Sequence, residues 1–174
     1  AEHDESAQSI LITTSQKLAD LVEKEIEKIL LMLARRDIAG PSWGNFGTII
    51  IVPSLEVAAE LSNKIAPEHL ELCVAKPKKL LKKISNAGAV FMGCWTPEAV
   101  GDYIGGANHV LPTARSARFS SGLSVMDFIK RTTTTFVSPE ALKSIGPSIE
   151  TLAASEGLEA HGLSVSSRLK KLNR

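Results

Sequence analysis

Gly47-Thr48-Ile49-Ile50-Ile51-Val52 is a continuous run, β-branched at every residue after Gly47 and closed by Pro53. Branched side chains are stiff at χ1 and suit a pleated sheet, and a run without polar alternation marks a strand covered on both faces. Ser54 then offers a hydroxyl to cap a helix carrying Leu55, Ala58, Ala59 and Leu61. The same pairing of strand and helix recurs downstream. Leu70 to Val74 reads as another strand. Lys76 to Ile84 follows as a basic helical segment with Leu80, Leu81 and Ile84 turned inward. Its lysines, Lys76, Lys78, Lys79, Lys82 and Lys83, read as a solvated face. Ala89-Val90-Phe91-Met92 is a third strand, and Thr96-Pro97-Glu98 opens a helix with Pro at the first helical position, where its missing donor costs nothing.

Strands alternating with helices imply a parallel sheet with helices on its faces. The fold class is therefore α/β, a Rossmann-like parallel-sheet half-domain with catalytic loops at the carboxyl ends of its strands. Upstream, Ser9-Ile10-Leu11-Ile12-Thr13 is a short β-branched run. Thr14-Ser15 caps a helix on which Leu18, Leu21, Val22, Ile26, Ile29, Leu30 and Leu33 recur at three- and four-residue steps. Ala39-Gly40-Pro41-Ser42 is expected to stop it.

From Ala114 the pattern changes. Ala114 to Gly122 is loop-like, and Arg131-Thr132-Thr133-Thr134-Thr135-Phe136-Val137 reads as an isolated strand. Ser138-Pro139-Glu140 caps a helix that Gly146-Pro147 restarts, and Gly157 marks a bend before a basic terminal helix, Leu163 to Leu172. The division expected is residues 1–122 for the half-domain and 123–174 for a small, mostly helical C-terminal arm. With few large apolar residues, such an arm packs on another body or another subunit.

At 174 residues the chain suits one domain, or one domain with an appendage, and 44% hydrophobic residues suffice for a sizeable core. Twenty Lys and Arg against 19 Asp and Glu leave a net charge of +1, which gives no general electrostatic reason to bind nucleic acid or an anionic membrane. A small molecule or another protein is the expected partner. Cys73 and Cys94 are too few for a disulfide scaffold and match no compact metal pair, so they read as buried thiols in a reducing cytoplasm. No segment reaches the ~18 consecutive apolar residues of a membrane span. The acidic start Ala1-Glu2-His3-Asp4-Glu5 lacks the basic head of a signal peptide, and a chain opening on so site-like a sequence reads as cut.

Chemistry concentrates at Ile65-Ala66-Pro67-Glu68-His69-Leu70-Glu71-Leu72, where a carboxylate and an imidazole stand side by side after a proline. Each tunes the other's proton affinity, and His titrates nearest neutral pH. The four histidines, His3, His69, His109 and His161, all lie among turn-forming or acidic neighbours rather than inside long apolar runs. Neutral imidazole is the commonest metal ligand, so dispersed His near Asp and Glu are candidates for one metal site assembled by folding.

At Ala66-Pro67-Glu68-His69-Leu70-Glu71-Leu72, then Gly101-Asp102-Tyr103 and Asn108-His109-Val110-Leu111-Pro112-Thr113, the chain resembles the histidinol dehydrogenases. The likeness continues through Ser124 to Lys130 and into Ile149-Glu150-Thr151-Leu152-Ala153-Ala154, with Glu156 and His161. Several separated motifs in order are more specific than a lone glycine pattern. The resemblance implies oxidation of L-histidinol to L-histidine through the aldehyde, with two NAD used in succession and one zinc ion holding the substrate. It implies His3, Asp102 and His161 as zinc ligands, Glu68 and His69 as the acid–base pair, and His109 and Glu156 as substrate contacts. The metal ligands and His69 face the substrate as well. It also implies a homodimer with shared active sites. The segment corresponds to the family's C-terminal half: the family's Gln ligand would immediately precede Ala1, and most NAD contacts lie in the preceding half. No NAD-contacting residue is therefore assigned, and the segment is expected to be inactive alone.

Two other readings keep the same residues. In a zinc hydrolase, Glu68 would activate a metal-bound water; in a non-catalytic assembly module, the segment would act only by completing another chain.

Overall fold

Four short strands carry the parallel pairing: β1 Ile10–Thr13, β2 Thr48–Ile51, β3 His69–Leu72 and β4 Ala89–Met92. In the computed structural model, which describes residues 1–172, β1 pairs with β2 from Ile10↔Thr48 to Thr13↔Ile51, and β3 pairs with β4 from His69↔Ala89 to Leu72↔Met92. The strands make two separate two-stranded ladders. Parallel neighbours need a crossover, and helices supply it. Helices α1 (Gln16–Met32) and α2 (Arg36–Phe46) join β1 to β2, α3 (Leu55–Ile65) leads from β2 to β3, and α4 (Pro77–Leu81) leads from β3 to β4.

The caps form where hydroxyls precede the helices. Ser15 Oγ accepts from Leu18 N at 3.2 Å and Ser54 Oγ from Val57 N at 3.3 Å. Three expectations fail here. The first long helix already ends at Met32, and Gly40-Pro41 lies inside α2. Pro41 forfeits one backbone bond, while Ala39 and Ser42 beside it are sealed and the Ser42 hydroxyl donates to Ala7 O at 2.8 Å. The isoleucine run is not covered on both faces, since Ile51 is 46% exposed on a strand with one neighbour. Cys73 and Cys94 are exposed free thiols rather than buried ones.

The chain forms two compact units, Ala1–Phe128 and Ile129–Arg174. In the first, Ala59, Leu72 and Leu80 form a core against which Leu70, Val74, Leu81, Ile84 and Val90 pack. Each fully buried Leu stabilises by roughly 1.5–3 kcal/mol. Alternation along β3 turns Leu70 and Leu72 toward this core and His69 and Glu71 to the opposite face. On that face lies α5 (Ala99–Tyr103), which starts just past Pro97 rather than on it.

The second unit is a helical hairpin. Helix α6 (Pro139–Ser155) is capped by Ser138 Oγ and runs unbroken through Gly146-Pro147, instead of restarting there. Gly146 lets α7 (Glu159–Leu172) approach: a Cβ there would come within 2.9 Å of Leu169 Cδ1. Gly157, at φ +70°, closes α6 in a Schellman turn, with Leu158 N donating to Ala153 O and Gly157 N to Ala154 O. Residues 131–137 form no strand and are exposed, because a Thr-rich segment with β propensity still needs a ladder partner. No described helix is long and apolar enough to cross a membrane.

Candidate active site

Ala66 ends α3 in the left-handed conformation, φ +52°, and is 1% exposed. That turn sends the chain through Pro67 and Glu68 into His69, the first residue of β3. The Glu68 carbonyl accepts from Ala89 N at 2.8 Å, registering the start of β3 on β4. Gly88 makes this fit possible, since a Cβ there would meet Glu68 O at 2.6 Å and the Pro112 ring at 3.0 Å.

The His69 ring packs beside Phe91, with centroids 6.0 Å apart, and its Nε2 faces two carboxylates. Glu98 Oε1 is 3.6 Å away and Asp102 Oδ1 is 3.9 Å away. Glu98 and Asp102 are four residues apart, so one turn puts them on the same side. Among the described residues these three form a group whose ligand atoms lie within 4.8 Å of one another. His69 Nε2 and Glu98 Oε1 are both buried without a hydrogen-bond partner. Burial pushes the Glu98 carboxyl above the ordinary carboxylate range, its hydrogen bond with Asp102 and that residue's charge add to the shift, and the His69 and His3 charges draw it back.

Two carboxylates this close resist ionising together unless a cation joins them. The donor set, one imidazole nitrogen and carboxylate oxygens with buried atoms unpartnered, suits a borderline divalent ion such as zinc. Two ligand sets therefore share Asp102: the clustered His69, Glu98 and Asp102, and the set implied by resemblance, His3, Asp102 and His161.

His3 is exposed and close enough for its charge to act on Glu98. The segment bearing it is tied to α2, because Arg35 Nε donates to Glu2 O at 3.1 Å and Ser42 to Ala7 O. His109 is exposed in the loop after α5, where Asn108 Oδ1 accepts from Val110 N at 2.8 Å. Glu68 is half-buried immediately before β3. Glu156 caps the end of α6 and His161 lies in the first turn of α7, both exposed in the second unit. The structure thus brings His69, Asp102 and the charge of His3 together, and adds Glu98. Its signal in the sequence was its place four residues before Asp102, on the same helical side. Glu71 also emerges: two residues after His69 on the same strand face, its Oε1 accepts from Glu98 N at 2.8 Å.

A family model described as histidinol dehydrogenase matches residues 1–169. Proteins named histidinol dehydrogenase from Cereibacter sphaeroides and Ruegeria pomeroyi are each 62% identical to this chain over 173 residues, covering 99% of it and 40% of the relative. The crystal structure of histidinol dehydrogenase from Elizabethkingia anophelis is similar with a TM-score of 0.89 at 40% identity, covering 100% of this chain and 40% of that one. The chain thus spans about 40% of the length of the curated relatives it matches.

Proposed function

Since the chain belongs to the histidinol dehydrogenase family, we propose that it supplies the acid–base pair and most of the metal site of an NAD-dependent enzyme that oxidises L-histidinol to L-histidine in histidine biosynthesis. The observation that carries this reading is His69 Nε2, buried and unpartnered, facing Asp102 Oδ1 at 3.9 Å. Both are residues of the motifs that the sequence shares with the family.

His69 takes the hydroxyl proton of the alcohol as the carbon gives up a hydride. An imidazole has the right proton affinity for this near neutral pH. Glu68, helped by His69, then takes a proton from the water that adds to the aldehyde. Loss of a second hydride from that hydrate gives the carboxylic acid. Asp102, His3 and His161 are the zinc ligands on this reading, with His109 and Glu156 touching the substrate. Zinc, when bound, supplies a Lewis-acidic anchor for the substrate's imidazole and amine. NAD, when bound, accepts each hydride; no residue of this segment is assigned to it.

Residues 123–174 act as an arm reaching a partner subunit, so that Glu156 and His161 complete the partner's site in a homodimer. A cytoplasmic location belongs to the same reading.

The test uses a full-length chain in which this segment replaces the matching part of the Cereibacter sphaeroides relative. With zinc, NAD and L-histidinol it should form two NADH for each histidinol consumed. Zinc-dependent hydrolysis of ester or amide substrates, with no NADH from histidinol, would overturn the dehydrogenase reading.

A further inference from the structure

On the reading that His69 and Asp102 work together, we infer that Glu71 is a positioning residue: its carboxylate fixes the α5 turn at the height that sets Glu98 and Asp102 opposite the His69 imidazole. Glu71 stands two residues beyond His69, on the same face of β3. Its Oε1 accepts from the backbone N of Glu98 at 2.8 Å. That N–H stands at the start of α5, where no preceding turn provides an acceptor.

The turn is a single one. Val100 N donates to Pro97 O at 3.0 Å and Gly101 N to Glu98 O at 2.8 Å, so the Glu98 backbone is part of its opening turn and Asp102 lies one turn on. A second contact fixes its tilt. Gly101 sits on Phe91, close enough that a Cβ would come within 2.7 Å of Phe91 Cε1, and Phe91 is the cross-strand partner of Glu71. One strand pair therefore carries the imidazole, the carboxylate that holds the turn and the ring on which the turn rests. The other carboxylate oxygen of Glu71, Oε2, accepts from Cys73 Sγ at 3.8 Å, which leaves Oε1 to Glu98. Displacing a catalytic constellation by about 1 Å can cost roughly a hundredfold in rate, so a hydrogen bond outside the reacting groups can still govern turnover.

The role belongs to an acceptor oxygen at the reach of a Glu side chain, and not to its charge. Glu71→Gln keeps an oxygen at that reach and loses the charge; Glu71→Asp keeps the charge and withdraws the oxygen. Both variants are made in the full-length chain described above, with zinc bound. Hydrogen exchange is followed in the peptide spanning residues 96–102, and kcat is measured with L-histidinol. Glu71→Asp should speed exchange at the Glu98 amide by about tenfold and lower kcat by roughly tenfold to a hundredfold. Glu71→Gln should restore both to near the parent values.

Unchanged exchange in Glu71→Asp overturns the inference, and so does a Gln variant impaired as much as the Asp variant. If the parent chain does not oxidise histidinol, the functional reading falls, and the exchange pattern alone decides whether Glu71 holds the turn.

Discussion

His69 Nε2 and Asp102 Oδ1 stand 3.9 Å apart although the residues come from different elements, β3 and α5, separated by a strand crossover. With Glu98 Oε1 at 3.6 Å, the imidazole faces two acids at once. That arrangement determines how the site responds to substitution.

The raised Glu98 carboxyl makes stability depend on pH. Its folded proton affinity exceeds that of the unfolded chain, so the contribution of protonated Glu98 is fully present below the ordinary carboxylate range. It is lost as pH rises through that range to the raised folded value. In the metal-free full-length chain, the urea midpoint should fall across that window, and Glu98→Gln should flatten the fall. An identical pH slope in both proteins would contradict the assignment.

Gly101→Ala introduces a Cβ at 2.7 Å from the Phe91 ring. Either Phe91 or α5 must shift, which costs about 1–3 kcal/mol by the general cost of overpacking. Denaturant unfolding should show that loss, and because Asp102 follows directly, zinc should bind more weakly in chelator competition. Parent-like stability with parent-like zinc affinity would mean that α5 does not rest on Phe91 in solution.

Much of this was legible in the sequence. Ser15, Ser54 and Ser138 cap helices because a hydroxyl ahead of an apolar period is a local signal, and the β-branched runs at Ile10 and Thr48 became strands. The Gly-Pro pairs misled. Gly40-Pro41 and Gly146-Pro147 signal breaks locally, but the packing of Ala39, Ser42 and Gly146 outweighs one lost backbone bond. The roles of Glu98 and Glu71 escaped, although Glu98 lies four residues before Asp102 and Glu71 two after His69, because local spacing does not show that α5 folds back against β3. Only the β3–β4 register and the return of α5 over Phe91 bring Glu98 to His69 and to Glu71.

Glu68 is assigned to activating water for the second oxidation. Glu68→Gln should therefore slow oxidation of the aldehyde more than oxidation of the alcohol, by roughly a hundredfold or more for the general-base step. Stopped-flow NADH formation from each substrate separates the two. Equal losses would end that division of labour.

A shared site predicts complementation. A His69→Ala chain and a His161→Ala chain should each be nearly inactive as homodimers, yet mixing them should restore activity through sites bearing neither lesion. Activity that stays at background after subunit exchange is demonstrated would place each site within one chain.

The account turns on His69 as the base that removes the alcohol proton, and turnover of L-histidinol by zinc-loaded His69→Ala full-length chain tests it most directly. Removing a general base should lower kcat by about 10²–10⁴-fold, with zinc retained at the parent stoichiometry. A His69→Ala chain that binds zinc and oxidises histidinol at the parent rate would contradict it.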